Sequence, residues 1–98
     1  MAHAEYPADF GFEQVRGQPR GRKEYRSDDG SATVHVEPYP DTDEWVAKAV
    51  VARKIGTEDH VDLGVHSSEG AAMNAALDFM KQYADGGVGD VHPDFDIL

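Results

Sequence analysis

The chain has 98 residues, 40% of them hydrophobic, with no cysteine and a net charge of −10 from 19 acidic and nine basic residues. This length accommodates one small domain, and the lack of cysteine excludes disulfides, thiolate metal sites and cysteine nucleophiles. Because no apolar run approaches the roughly 18 residues of a membrane helix and no apolar signal segment is present, we expect a cytoplasmic protein without a membrane partner.

The first predicted segment, residues 1–20, is an irregular N-terminal arm. Its apolar residues stand among prolines and glycines and follow neither the period of a helix nor that of a strand. They are Tyr6, Phe10, Phe12 and Val15. Four such side chains are too many for a purely solvated segment, so we expect part of the arm to pack on the domain, predicted over residues 21–85, or on a partner chain.

A β-hairpin is predicted next, with strands at residues 22–27 and 32–37. Between them, residues 28–31 read Asp-Asp-Gly-Ser, a turn composition in which Gly30 can adopt a positive φ. The second strand alternates valines with polar residues, which indicates one buried and one exposed face. Two prolines and two aspartates over residues 38–43 then end the strand and predict a loop.

The third and fourth predicted strands span residues 44–54 and 60–66. One face of the longer strand carries Trp45 and the other carries Lys48. Because burial of an unpaired lysine is costly, we predict that the Trp45 face points toward the core. In the last strand three apolar residues alternate with polar ones and are predicted to join that core: Val61, Leu63 and Val65. The polar residues between and beside them are predicted to share the opposite face: His60, Asp62 and His66.

An amphipathic helix is predicted over about residues 68–84, capped by Ser67 or Ser68 and ended by the glycines that follow Asp85. Its apolar residues recur at helical spacing and are predicted to face the sheet: Ala72, Met73, Ala76, Leu77, Met80 and Ala84. The predicted fold is therefore α+β, a three- or four-stranded antiparallel sheet with one C-terminal helix packed on one face.

Residues 86–98 are predicted to form a flexible C-terminal tail. They contain three glycines and, near their end, Phe95, Ile97 and Leu98. This pattern fits either a frayed end or a short motif that docks on another protomer, and the sequence leaves both interpretations open.

The acidic composition has two interpretations. One is an acidic patch that engages a basic partner, and the other is adaptation of the whole surface to a salty cytoplasm. The acids are scattered along the chain instead of forming one block, which favours the second interpretation. Twelve of the acids are Asp, and the chain has only four Lys. In these respects the composition resembles that of small proteins from halophilic archaea.

The bases, in contrast, are concentrated in residues 16–26. Five of the nine lie there: Arg16, Arg20, Arg22, Lys23 and Arg26. Such a segment can bind the phosphates of a nucleic acid, or it can be an edge strand whose arginines pair with aspartates. Because the whole chain is strongly acidic, we favour the second interpretation and keep nucleic-acid binding as the alternative.

The sheet face opposite the helix is the predicted partner-binding surface. Alternation places the following residues on it: His35, Glu37, Val46, Lys48 and Val50. Valines on this face predict that something covers them, and the candidates are the N-terminal arm with Phe10 and Phe12, the C-terminal residues 95–98 or a second copy of the same face. For so small a domain we favour a homodimer.

The metal-ligand candidates on this face are His35, His60 and Asp62. His60 and His66 are too far apart along an extended strand to share a metal ion, so only a cross-strand neighbour such as His35 could complete a site, and we favour an ordinary polar face without a metal. No residue set supports catalysis, so we predict neither an enzyme nor a cofactor.

One motif resembles a known architecture. Residues 44–47 (Glu-Trp-Val-Ala) and 62–72 (Asp-Leu-Gly-Val-His-Ser-Ser-Glu-Gly-Ala-Ala) are similar to the tryptophan strand and helix entry of plant AP2 and phage-integrase arm-binding domains. The resemblance spans about residues 32–84 and implies a three-stranded sheet followed by a helix. In those families the sheet face reads DNA with Arg and Trp, whereas the corresponding face here carries His35, Glu37 and Asp62.

These observations predict a non-enzymatic interaction or structural domain, adapted to high salt, that self-associates through its open sheet face. The alternative function is nucleic-acid binding through residues 16–26.

Overall fold

The computed structural model describes residues 6–52 and 56–85 as an α+β fold in which one helix covers one face of a five-stranded antiparallel sheet. A short 3-10 helix, Pro7–Phe10, precedes the sheet. The strands and the helix are β1 Phe12–Val15, β2 Lys23–Ser27, β3 Ala32–Pro38, β4 Trp45–Ala52, β5 Glu58–His66 and α1 Glu69–Ala84. The strands are ordered β1-β2-β3-β4-β5, so each pairs with its neighbour in sequence.

The fold class, the antiparallel sheet and the C-terminal helix agree with the sequence prediction, but the strand count of three or four is wrong. The additional strand, β1, lies inside the segment predicted as an irregular arm. Phe12 is buried and pairs with Ser27 of β2. Gly11, at φ +77°, turns the chain from the 3-10 helix into the strand. Four residues are too few to show a period of two, so pairing with β2 creates a strand that local pattern does not reveal.

The β2–β3 hairpin forms at the predicted turn. Gly30 has φ +75°. The carboxylate of Asp29 accepts hydrogen bonds from the hydroxyl and the backbone N–H of Ser31 and from the hydroxyl of Ser27. These bonds, those of Ser31 foremost, lower the pKa of Asp29 to about 2. The turn is thereby tied to the strands that it joins, and the Ser31 hydroxyl also bonds the phenol of Tyr83 on the helix.

The core lies between the sheet and α1. The helix begins after Ser68, whose hydroxyl accepts the N–H of Ala71. Its buried residues are Ala72, Ala76, Phe79 and Met80. Phe79, which the predicted inward set omitted, is fully buried, whereas Ala84 of that set is exposed. The buried stripe is therefore rotated by about one position toward Phe79, and it continues to Tyr83, whose ring packs edge-on against Phe12 at 5.9 Å.

Strand β4 is oriented as predicted. Trp45 packs against the core, and Lys48 is exposed on the opposite face. The predicted strand extended to residue 54, whereas β4 ends at Ala52 and residues 53–55 lie outside the described residues. The predicted tail, residues 86–98, also lies outside them.

A β-bulge interrupts the alternation of β5. Val46 pairs with Val65 and Lys48 with Asp62, so Leu63 and Gly64 together stand opposite Ala47. Gly64 has φ +98°, a conformation that glycine adopts without strain. As a result Leu63 packs on the core while Val65, 51% exposed, lies on the same face as Val46.

The prediction that Val65 joins the core is therefore wrong, and so is the placement of His66 on the opposite face. His66 pairs with Trp45, on the helix side of the bulge.

Candidate functional site: the open face of the sheet

The open face is the side of the sheet opposite α1. The strand register places its β3–β5 residues in three adjoining rows: Thr33, His35 and Glu37 of β3, Val46, Lys48, Val50 and Ala52 of β4, and Glu58, His60, Asp62 and Val65 of β5. All five residues predicted for the partner-binding surface lie on this face. The register also puts Glu24 and Arg26 of β2 there, opposite His35 and Thr33.

An ion-pair cluster centred on Arg22 occupies one side of the open face. The guanidinium donates to Glu37 Oε1 at 2.7 Å, to Glu24 Oε1 at 3.0 Å and to Gln18 Oε1 at 3.0 Å. Each guanidinium nitrogen therefore has a protein acceptor. Sequence reasoning assigned Arg22 to a basic segment and missed this cluster, because the register that brings Glu24 and Glu37 together is not visible in local pattern.

His35 extends this cluster toward the centre of the face. Its Nε2 lies 3.4 Å from Glu37 Oε1, and its side chain is only 16% exposed. Burial lowers the pKa of His35 below its ordinary value of 6.5, and the charge of Arg22 lowers it further, while Glu37 and Glu24 oppose both effects. The imidazole is therefore held neutral in a polar setting, and it presents a hydrogen-bonding group without a charge.

Lys48 stands at the centre, between His35 on β3 and Asp62 on β5. The carboxylate of Asp62 accepts the backbone N–H of Gly64 at 2.8 Å. Across the described residues, no carboxylate lies within ion-pair distance of the Lys48 ammonium. The centre of the face thus carries an exposed cation whose neighbouring carboxylate is turned toward the bulge.

Three valines accompany these polar groups. Val46 is 9% exposed, Val50 is half-buried and Val65 is 51% exposed. Val46 and Val65 are directly opposite each other across β4 and β5. The face therefore combines apolar side chains with polar groups of both charges, as partner-binding surfaces commonly do.

The five bases predicted for nucleic-acid binding do not form one surface. Arg22 is engaged in its cluster, and Lys23 lies on the helix side with its ammonium 3.1 Å from Glu69 Oε2. Arg26 is on the open face, and Arg16 and Arg20 are exposed between β1 and β2. Alternation along β2 separates Lys23 from its neighbours, because successive side chains point to opposite faces.

The metal-ligand candidates are also separated. His60 pairs with Val50 and Asp62 with Lys48, while His35 lies two strands away from Asp62. In residues 6–52 and 56–85, no three histidine or carboxylate side chains are arranged to hold a metal ion.

Comparison with known proteins identifies no relative of this chain, so its function is inferred from the open face. No protein-family model, curated protein or solved structure matches the chain. The resemblances to halophilic proteins and to AP2-type domains therefore stay predictions. Within the described part of the chain, no helix has the length and apolar character needed to cross a membrane.

Proposed function

We propose that this protein is a non-enzymatic interaction domain, adapted to high salt, that binds a second copy of itself through the open face. The observation that carries the proposal is a valine-bearing, nearly neutral strip on a chain of net charge −10. The cytoplasmic location predicted from the sequence is part of the same proposal.

The charge distribution favours a second copy as the partner. At the centre of the open face one base, Lys48, stands beside one acid, Asp62, a local sum of 0. Across the whole face three bases stand against five acids, a sum of −2: Arg22, Arg26 and Lys48 against Glu13, Glu24, Glu37, Glu58 and Asp62. Two identical chains with this overall charge repel each other, and the repulsion is smallest where the local charges cancel. The open face is therefore a region on which two copies can approach.

The apolar content favours the same surface. A domain of this size buries a smaller fraction of its surface internally than a large domain does, and it gains stability when a partner covers further apolar side chains. Val65 is half exposed beside Val46, and Val50 lies on the same strand as Val46. A partner that covers these valines would form the apolar centre of an interface with the Arg22 cluster at its rim.

Salt is expected to strengthen this association. At about 1 M salt the Debye length is about 3 Å, so the repulsion between two acidic chains is screened while burial of the valines is retained. We therefore expect a larger dimer fraction in about 2 M KCl than in about 0.1 M KCl.

Sedimentation equilibrium from about 10 µM to about 1 mM protein tests the proposal, because weak dimers populate over this range. The expected result is a mass that rises from the 10.7 kDa monomer toward twice that value, more strongly at high salt. The variant Val65→Glu adds a charge to the open face and is expected to keep the protein monomeric. Its matched control, Asn74→Glu, adds the same charge to an exposed helix position and should associate as the wild type does.

Two outcomes would contradict the proposal. One is a monomeric wild type at every concentration and both salt levels. The other is equal loss of association in Val65→Glu and Asn74→Glu, which would indicate a general charge effect in place of a specific surface.

Nucleic-acid binding remains the second candidate, carried by three exposed arginines. Among the described residues, Arg16, Arg20 and Arg26 form no ion pair. Phosphate contacts from such side chains weaken steeply with salt. A fluorescently labelled DNA or RNA oligonucleotide should therefore bind at low salt and lose affinity in Arg16→Gln/Arg20→Gln/Arg26→Gln, and absence of binding at every salt concentration would remove this candidate.

A further inference from the structure

We propose that the two-fold axis of this dimer runs along the seam between β4 and β5, so that Lys48 of each copy meets Asp62 of the other. This inference rests on the proposed function and specifies which part of the open face makes the contact. It is carried by the register of the sheet and by the lack of an ion pair at Lys48 within residues 6–52 and 56–85.

A symmetric face-to-face dimer repeats every contact twice, because residue i of one copy meets residue j of the other and the reverse. Consider a two-fold axis that lies between the two stacked sheets, parallel to the strands and above the midline between β4 and β5. It places β4 of one copy over β5 of the other, with no shift along the strands. Each cross-strand pair on the open face then becomes a contact between copies. The pairs at this seam are Val46 with Val65, Lys48 with Asp62, Val50 with His60 and, at the end of β4, Ala52 with Glu58.

This seam matches side chains of complementary chemistry. Val46 of one copy would cover Val65 of the other, and the ammonium of Lys48 would meet a carboxylate. Val50 would meet an imidazole, which offers an apolar ring face. The last pair, Ala52 with Glu58, lies at the exposed end of the seam, where the carboxylate stays in contact with solvent. Aligned packing of two sheets, with their strands within about 30° of each other, permits this arrangement.

The other three seams of the described sheet match poorly. At β3–β4 the open-face pairs are Glu37 with Val46, His35 with Lys48 and Thr33 with Val50. A dimer axis there would place a carboxylate on a valine and would bring the Lys48 ammonium onto a neutral, half-buried imidazole. At β2–β3 the open-face pairs contain no apolar partner. At β1–β2 the pair Glu13 with Arg26 is complementary in charge, but Val15 with Glu24 sets a carboxylate on a valine and no apolar pair is present.

The bulge in β5 positions the side chains for two of these contacts, Val46 with Val65 and Lys48 with Asp62. By adding one residue opposite Ala47 it moves Val65 to the open face beside Val46. The N–H of Gly64, within the bulge, binds Oδ1 of Asp62 and leaves Oδ2 without a hydrogen bond among the described residues. A carboxylate held in this way still has an oxygen available for the partner's Lys48.

The expected interface is small. With the axis at this seam, only β4 and β5 of one copy lie over β5 and β4 of the other. The total surface area buried is therefore expected to be below about 1,200 Å². Such contacts are typical of transient complexes, so the dimer should dissociate on dilution.

Charge reversal tests the seam. Lys48→Glu and Asp62→Lys each create two like-charge contacts per dimer, and each is expected to weaken association about tenfold. The double variant Lys48→Glu/Asp62→Lys restores opposite charges at both contacts and the original net charge, and it should associate within about threefold of the wild type. Lys81→Glu and Asp78→Lys make the same charge changes on the exposed side of the helix and serve as controls.

The measurement is sedimentation equilibrium in about 0.5 M KCl, where the Debye length is about 4 Å and a direct ion pair still contributes. Because Lys48 and Asp62 are exposed, their substitutions should leave the fold intact. Circular dichroism checks that each variant is folded.

The outcomes separate the two proposals. Loss in both single variants with recovery in the double variant supports the seam. Unchanged association in the single variants, or no recovery in the double variant, overturns the seam, and if Val65→Glu still dissociates the dimer, the open face remains the interface. A wild type that stays monomeric overturns the proposed function itself.

Discussion

The two faces of the sheet are built from alternate residues of the same strands, yet they follow different chemistry. The covered face buries small and medium apolar side chains against α1, with Val34, Val36, Ala47 and Ala49 at most 1% exposed. The open face carries an ion-pair cluster, a lysine that forms no ion pair with any described residue and, on β4 and β5, three valines of graded exposure. The comparison indicates that stability comes chiefly from the covered face, while the open face is available for recognition.

The largest effect is expected from truncating the covered face. Phe79 is fully buried and stacks on Tyr83 at a ring-centroid distance of 6.0 Å. Phe79→Ala should lower the free energy of unfolding by about 3–5 kcal/mol, because it removes buried area and leaves a cavity. On the open face, Val65→Ala should change it by no more than about 0.5 kcal/mol. Urea denaturation of dilute protein measures both, and similar losses in the two variants would contradict the comparison.

The next largest effect is expected at Ser27, the one buried polar side chain on the covered face among the described residues. Ser27, 7% exposed, accepts the N–H of Ala32 at 3.0 Å and donates to Asp29 at 2.7 Å. Ser27→Ala leaves that buried N–H unsatisfied and should lower stability by about 1–3 kcal/mol in thermal denaturation. Ser67→Ala, at an exposed position, provides the control. Equal melting temperatures for Ser27→Ala and the wild type would show that the bond is dispensable.

A third prediction targets the bulge that moves Val65 from one face to the other. Gly64→Ala requires a side chain at φ +98° and brings its Cβ to 3.2 Å from His66 Nε2. We expect a loss of about 1–2 kcal/mol. Gly70→Ala, in the first turn of α1, has an ordinary φ and meets only Ser68 Oγ at 4.0 Å, so it should be neutral or stabilising by up to about 1 kcal/mol. Chemical denaturation of the pair measures the contrast, and equal stability of the two variants would argue against a strained bulge.

The smallest expected effect is a pH dependence that originates on the open face. Burial, and then the charge of Arg22, lower the pKa of His35 below 6.5, so the unfolded chain takes up this proton at a higher pH than the folded chain does. The contribution of the neutral His35 to the free energy of unfolding is therefore complete above pH 6.5 and is lost as the pH falls below that value. The charged groups facing the ring are Arg22, Glu24, Glu37 and Lys48.

His35→Gln removes this titration and should flatten the decline in stability below pH 6.5, as measured by urea denaturation at a series of pH values. His60→Gln, exposed on β5, is the matched control and should retain the wild-type slope. An unchanged slope in His35→Gln would assign the pH dependence to other groups.

Local sequence was sufficient for the parts of the fold that local chemistry determines. The Asp-Asp-Gly-Ser turn, the capped helix and the orientation of Trp45 against Lys48 follow from turn composition, spacing and the cost of burying a charge. Strand β1 and the bulge depend on pairing between distant residues. A glycine within an alternating strand, as at Gly64, is a known signal for a bulge, and it could have corrected the placement of Val65.

The candidate site, like the fold, could be predicted where local alternation determines it and not where distant residues pair. Alternation alone places His35, Glu37, Val46, Lys48 and Val50 on one face, which the strand register reproduces. It does not reveal that Arg22 pairs with Glu24 and Glu37, since these contacts join a loop to two strands. It also could not show that Lys48 forms no ion pair with its described neighbour Asp62, because a hydrogen bond created by the bulge turns Asp62 toward Gly64.

Amide chemical shifts followed over a dilution series test most directly whether the open face is where two copies meet. If two copies meet on the open face, the shifts of Val46, Lys48 and Val65 should change with protein concentration, while those of Ala72 and Phe79 in the helix should stay constant. Concentration-dependent shifts confined to the helix or to residues 16–26, or none at any concentration, would contradict this proposal.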